Sequence, residues 1–70
     1  MNLQIIGVGA NIEEVRSIVQ RYFNDSMQLI QMNMSMFEQY QIRPVKPKHI
    51  WGIWQYRVVV TNGLYYFGKI

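Results

Sequence analysis

Few residues of this chain are of the types that catalyse reactions or bind metals. The acidic residues are Glu13, Glu14, Asp25 and Glu38, there is one histidine, His49, and there is no cysteine. Thiol chemistry, disulfides and thiolate metal sites are therefore excluded, and one imidazole cannot form a histidine-rich metal site. No nucleophile is placed beside a base by its position in the sequence. We therefore predict a protein that is not an enzyme and has no cofactor.

A short glycine-containing segment, Gly7-Val8-Gly9, follows a predicted strand and precedes a predicted helix, as phosphate-binding loops do. Ile12 occupies the position of the third glycine in the G-x-G-x-x-G pattern. Glu13 and Glu14 would repel an anion at the start of that helix. A chain of 70 residues also cannot form the full dinucleotide-binding fold. We interpret the segment as a strand-to-helix turn.

The densest group of cationic residues lies in the segment 43–51, RPVKPKHIW, and a second tryptophan follows it. Lysines beside stacking aromatic rings are the ingredients of single-stranded nucleic-acid binding. The residues of this alternative function are Arg43, Lys46, Lys48, His49, Trp54 and Arg57. The competing interpretation is a solvated loop between two strands, with its tryptophans in the core or at a subunit contact. The same loop also suits an acidic protein partner.

The elements that must position these residues begin with a helix over 12–24. Its apolar residues recur at helical spacing, and Asn11 precedes it as a predicted N-cap with Glu14 in the capping-box position. Those apolar residues are Ile12, Val15, Ile18, Val19, Tyr22 and Phe23. A helix of this size is about 20 Å long, so it covers only one side of a sheet.

The remaining segments are predicted as strands over 2–9, 27–42, 49–61 and 64–70. In the segment 27–42, alternation of Ile30, Met32, Met34 and Met36 with polar residues favours a strand with a bulge after Met36, although a helix also fits. The two prolines of 41–48 predict a loop. Asn62-Gly63 predicts a type I′ hairpin turn that places Thr61 opposite Leu64.

These elements predict one α+β domain over 1–70, with a single helix packed on a mostly antiparallel sheet in the order β-α-β-β-β and a C-terminal hairpin that turns at Asn62-Gly63. The order is similar to that of dodecins and cystatins, which also place one helix between a first strand and an antiparallel meander. This resemblance concerns the order of elements alone and implies no ligand.

The register of the hairpin predicts which side chains share a face of the sheet. We expect Trp54, Tyr56, Val58, Val60, Tyr65 and Phe67 to lie under the helix. The outer face, which points away from the helix, is expected to carry Trp51, Ile53, Val59, Leu64, Tyr66 and Ile70. Exposed, these residues would form a patch of the size that marks an interaction surface. In the alternative, a tightly curled sheet shields this face with its own loops.

The composition favours association with another molecule. Only 16% of the residues are charged, against about 25% in ordinary domains. A chain of this size has a marginal core, and without cysteine self-association is the remaining means of stabilisation, unless the monomer packs well by itself. We predict a protein-interaction module, either a homo-oligomer or an accessory or inhibitory subunit. Its predicted contact residues are Trp51, Ile53, Val59, Leu64 and Tyr66, together with an unpaired last strand.

The expected partners are therefore a copy of this chain or a larger protein, with nucleic acid as the alternative. A weaker alternative is a planar ligand between subunits, held by Trp51, Trp54 and Tyr66. The net charge of +3 is modest for a nucleic-acid binder. No apolar run approaches the ~20 residues of a membrane span, and no signal peptide is recognisable, so we predict no membrane partner and a cytoplasmic location.

Overall fold

The computed structural model describes residues 2–32, 37–46 and 52–70. Within them the chain forms one α-helix and one five-stranded antiparallel sheet, so the predicted α+β class is confirmed. The elements are β1 (Gln4–Gly9), α1 (Ile12–Phe23), β2 (Met27–Met32), β3 (Glu38–Pro44), a 3₁₀ helix (Ile53–Gln55), β4 (Tyr56–Thr61) and β5 (Leu64–Lys69). The strands lie in the order β1-β5-β4-β3-β2, so β1 and β2 form the two edges.

The helix begins and ends at side chains suited to those positions. Asn11 Oδ1 accepts a hydrogen bond of 2.9 Å from the Glu14 N–H, as predicted for the N-cap. The Glu14 carboxylate accepts a bond of 3.3 Å from the Ala10 N–H, one residue before the cap. At the other end Asn24 adopts the left-handed conformation, at φ 54° and ψ 40°, and its N–H bonds to a carbonyl of the last turn. Asparagine tolerates this conformation, so the helix stops after Phe23.

The segment 27–42 differs from its prediction. Its described residues are extended, but they form two strands, β2 and β3, paired as a hairpin with Met32 opposite Gln39 and Met27 opposite Pro44. The predicted bulge after Met36 is wrong, because the chain reverses direction between β2 and β3. Met34 and Met36 themselves lie outside the described residues. The sheet consequently has one strand more than the order β-α-β-β-β predicts.

The boundaries of β3 and β4 also differ from the predictions. β3 continues to Pro44, so the predicted loop begins at Val45 rather than at Gln41. The predicted strand 49–61 is wrong over 52–55, where Gly52 has φ 76° and a 3₁₀ helix follows. Residues 49–51 lie outside the described part of the chain. The positive φ of Gly52 turns the backbone out of the strand direction, so β4 starts only at Tyr56.

The C-terminal hairpin is confirmed in both turn and register. Asn62 and Gly63 have φ of 52° and 76°, the sign that a type I′ turn requires. Thr61 lies opposite Leu64, and the ladder continues through the pairs predicted from the turn. The last strand is not unpaired as predicted, because β1 adds to its free side and makes β5 an interior strand.

The core lies between α1 and the inner face of the sheet, which is the side that the helix covers. Its buried residues are Val15, Val19, Met27, Ile42, Ile53, Val58 and Phe67. Edge-on and tilted aromatic contacts extend it, with the ring centroids of Tyr22 and Phe23 at 5.1 to 6.0 Å from those of Tyr56 and Phe67. At Gly9 the helix approaches so closely that a Cβ atom would lie 2.7 Å from the Val15 nitrogen.

Candidate interaction surfaces

The predicted contact residues do not all lie on the outer face. Val59 and Tyr66 form a cross-strand pair there and are half-buried, and Leu64 is 38% exposed. The placement of Ile53 is wrong, because the 3₁₀ helix turns this side chain into the core, where it is 4% exposed. Trp51 lies outside the described residues. Of the four predicted contact residues that the structure describes, three therefore lie on the outer face.

The centre of the outer face is partly covered by the chain itself. Leu3 and Phe37 line an apolar groove of about 250 Å³ with Val59 and Thr61. Leu3 can approach the sheet because residue 68 is glycine, where a Cβ atom would lie 2.8 Å from the Leu3 Cγ. The predicted patch is therefore narrowed in the middle, where Phe37 remains 49% exposed beside the groove, and a second group of exposed apolar side chains lies at the β1 edge.

The β1 edge carries an apolar surface that the sequence analysis did not identify. β1 has the sequence QIIGVG without a charged residue, and Ile5, Ile6 and Val8 are 55%, 38% and 45% exposed. By the register of β1 with β5, Leu64 is a diagonal neighbour of Val8 on the outer face. Ile70 is a diagonal neighbour of Ile5 in the same way. We call these five residues the β1 patch. A lack of charge in the first strand was the only signal for it.

The opposite edge, β2, is also uncharged but less apolar. Its sequence is MQLIQM, and its glutamines Gln28 and Gln31 are exposed. Ile30 is 36% exposed, less than each exposed aliphatic residue of β1. The two edges therefore differ in apolar exposure rather than in charge. Ile30 provides a matched comparison for the isoleucines of β1.

The β3–β4 part of the outer face is basic. Arg57 lies opposite Gln41, and Arg43 follows two residues along β3 and donates from Nη2 to Gln41 Oε1 at 3.1 Å. Arg57 Nη1 donates to the carbonyls of Trp54 and Tyr56, the latter at 2.8 Å, so these bonds hold its guanidinium in place.

Trp54 and Lys46 border these arginines. Trp54 was expected under the helix, but that placement is wrong, because the residue belongs to the 3₁₀ helix before β4 and is 59% exposed. Lys46 is exposed just after β3, whereas Lys48 and His49 lie outside the described residues. We call Arg43, Lys46, Trp54 and Arg57 the basic patch. It brings together four of the six residues predicted for nucleic-acid binding.

The acidic residues lie away from the outer face. Glu13 and Glu14 belong to the first turn of α1, and Asp25 follows the helix. Glu38 points to the inner side, because its Oε1 accepts from the Tyr40 hydroxyl at 2.7 Å, and Tyr40 packs against the core. The carboxylates of Glu13, Glu14 and Glu38 therefore do not face the arginines. Asp25 precedes Ser26, whose carbonyl accepts from the Val45 N–H, so Asp25 lies near Lys46.

The described titratable groups give no indication of catalysis. The hydrogen bond to Glu38 and partial burial raise the pKa of Tyr40 to about 12, so this phenol stays protonated at neutral pH. The hydrogen bond between the hydroxyls of Tyr22 and Tyr56, 3.1 Å long, raises the pKa of Tyr22. Among the described residues, no group of three or more His, Cys, Asp or Glu side chains is placed to hold a metal ion.

Two further results bear on the function. In the described part of the chain, no helix combines the length and apolarity needed to cross a membrane. Comparisons of the chain with protein-family models, curated proteins and solved structures found no match. The function must therefore be argued from the β1 patch and the basic patch.

Proposed function

We propose that this protein is a small non-enzymatic interaction module that associates with a second copy of itself through the β1 patch. The observation that carries the proposal is an uncharged edge strand with three exposed aliphatic side chains, Ile5, Ile6 and Val8. The N–H and C=O groups along such an edge are a template for pairing with another strand. Charged residues or prolines on the strand would oppose that pairing, and β1 has neither.

A second copy suits this edge because an antiparallel pair of identical strands has two-fold symmetry. Such a contact is isologous: each β1 meets the other, and the two sheets continue into one ten-stranded sheet. The bulge between Ile5 and Gly7 limits the regular ladder to part of the strand. The apolar side chains must therefore contribute much of the binding free energy.

The size of the patch sets the expected affinity. Complete burial of an aliphatic side chain stabilises by about 1.5–3 kcal/mol, so the ten half-exposed side chains that the two copies bring together contribute roughly 10 kcal/mol. Association costs about 4–15 kcal/mol in lost freedom, and the new strand hydrogen bonds must supply the difference. We therefore expect a dimer that dissociates in the micromolar range or above.

The test compares the two edges of the sheet. Sedimentation velocity at about 100 μM should give the mass of a dimer for the wild type, and Ile5→Lys should reduce it to the monomer. Ile30→Lys makes the same change on β2 and should leave the dimer intact. Circular dichroism would verify that both variants fold. A monomeric wild type contradicts self-association. Loss of the dimer in Ile30→Lys but not in Ile5→Lys would mean that the contact is formed by β2 and not by β1.

A larger protein is the other partner class for the same patch. In that case the wild type is a monomer, and its capture of the partner is lost in Ile5→Lys but kept in Ile30→Lys. Either way, binding requires no catalytic group. The proposal also includes the cytoplasmic location expected from the sequence.

A further inference from the structure

The basic patch lies on a different part of the outer face from the β1 patch, and self-association through β1 gives it no role. Its two arginines share their face with no glutamate, because Glu13 and Glu14 lie in the first turn of α1 and Glu38 points to the inner side. Its arginines are ordered by their neighbours: Arg43 bonds to Gln41, and Arg57 bonds to two backbone carbonyls. A fixed pair of cations beside an exposed indole is a combination that a solvated loop does not require.

We propose that the basic patch binds single-stranded nucleic acid. Arg43 and Arg57 stand diagonally across the β3–β4 pair, which places their Cα atoms roughly 7–8 Å apart. A guanidinium carries five N–H donors and suits phosphate oxygens, and the two backbone bonds of Arg57 use only its Nη1. Lys46 adds a third cation at the end of β3.

Trp54 distinguishes a single strand from other anionic partners. Trp54 is 59% exposed and is joined to Arg57 through its backbone carbonyl, and unpaired bases stack on exposed indole rings regardless of sequence. In a duplex the bases are stacked on one another, so the indole would have no partner. An acidic polypeptide matches the charge but supplies no bases for the ring. The helix is poorly suited to contact nucleic acid, because Glu13 and Glu14 in its first turn repel phosphates.

The number of cations predicts the strength and the salt dependence of binding. Two or three phosphate contacts on a single strand give a slope of log K against log salt of about −1.4 to −2.1. We therefore expect weak binding with little sequence preference. The proposal is independent of the dimer, because the basic patch occupies the opposite part of the face from β1.

The test is a fluorescence-anisotropy titration of the full chain with labelled dT12 and U12 at salt concentrations from 20 to 200 mM. Arg43→Ala should reduce the magnitude of the salt slope by about 0.7, one single-strand phosphate contact, and Arg43→Lys should restore most of it. Arg21→Ala removes the same charge from α1 and should leave the slope unchanged.

Trp54→Ala tests the stacking contribution separately. It should weaken binding about fivefold to a hundredfold without changing the salt slope, and Trp54→Phe should retain most of the affinity. The proposal is overturned by no binding at 20 mM salt, by equal slopes in Arg43→Ala and Arg21→Ala, or by tighter binding of a duplex. Binding of polyglutamate as tight as that of dT12 also overturns it, and would identify an acidic polypeptide as the ligand.

Discussion

The two faces of the sheet differ although the same strands build both. Val58 and Val59 are adjacent residues of one type on β4, yet Val58 is fully buried under α1 and Val59 is half-buried on the outer face. On β5, Phe67 is fully buried and Leu64 is 38% exposed. Strand propensity cannot separate Val58 from Val59, because the two residues are of the same type. The position of a single helix therefore decides which residues form the core and which remain exposed.

The outer face is itself divided. Towards β1 it presents exposed aliphatic side chains on an uncharged strand, whereas on β3 and β4 it presents Arg43 and Arg57 beside Trp54. The inner face has no such division, because apolar residues of β2, β3, β4 and β5 form one buried cluster with the helix. The outer face does not have to form a core, so it can carry aliphatic residues at one edge and arginines elsewhere.

The difference between the two faces is tested most directly by truncating one β5 residue on the inner face and one on the outer face. Phe67→Ala should lower the free energy of unfolding by about 3–5 kcal/mol, because it leaves a cavity in the core. Leu64→Ala should cost less than about 1 kcal/mol, because this side chain is partly in water. Urea denaturation at low protein concentration measures both. The free energy of unfolding of a domain of this size is roughly 4–10 kcal/mol in total, so Phe67→Ala can unfold the protein. Phe67→Leu provides a milder variant. Equal costs for the two alanine variants would show that both faces are core.

A second prediction tests the close contact of the helix with β1. Gly9→Ala should destabilise by about 1–3 kcal/mol, because the added methyl would lie 2.7 Å from the backbone nitrogen of Val15 and the helix must shift. Val8→Ala, one residue earlier on the outer face, should cost less because Val8 is 45% exposed. Thermal unfolding followed by circular dichroism measures the difference. A larger cost for Val8→Ala would contradict this assignment of faces.

The smallest predicted effect concerns pH. The folded protein raises the pKa of Tyr40 from its ordinary value of 10.0 to about 12, so the folded state retains this proton where the unfolded state has lost it. This contribution to stability is fully present below pH 10 and is lost as the pH rises to about 12. Melting temperatures across that range should fall less steeply in Tyr40→Phe than in the wild type.

A companion variant identifies the cause of that pKa. Glu38→Gln removes the carboxylate that accepts the Tyr40 hydrogen bond, so the pKa of Tyr40 should move back towards 10. Absorbance titration of the phenolate, compared between the two proteins, measures the shift. An unchanged titration in Glu38→Gln would mean that burial, rather than Glu38, holds the proton.

Local signals predicted the parts of the fold that depend on neighbouring residues. Asn11 and Glu14 marked the start of the helix, and Asn62-Gly63 marked the turn together with the register of the hairpin. These features depend on residues within a few positions of one another, whose φ preferences and hydrogen bonds act in any context. The α+β class follows from them, because one amphipathic helix must cover one face of the strands.

Only the tertiary structure decided which strands are edges and which side chains remain exposed. β5 is interior because β1, distant in sequence, pairs with it, and that places Ile5 and Val8 at the edge. A turn at Gly52 sends Ile53 into the core and leaves Trp54 in solvent. Strand order and burial result from contacts between distant segments, whose free energies depend on the whole assembled sheet and have no counterpart in a local pattern. The composition of the chain thus indicated a surface for a partner, but its position required the fold.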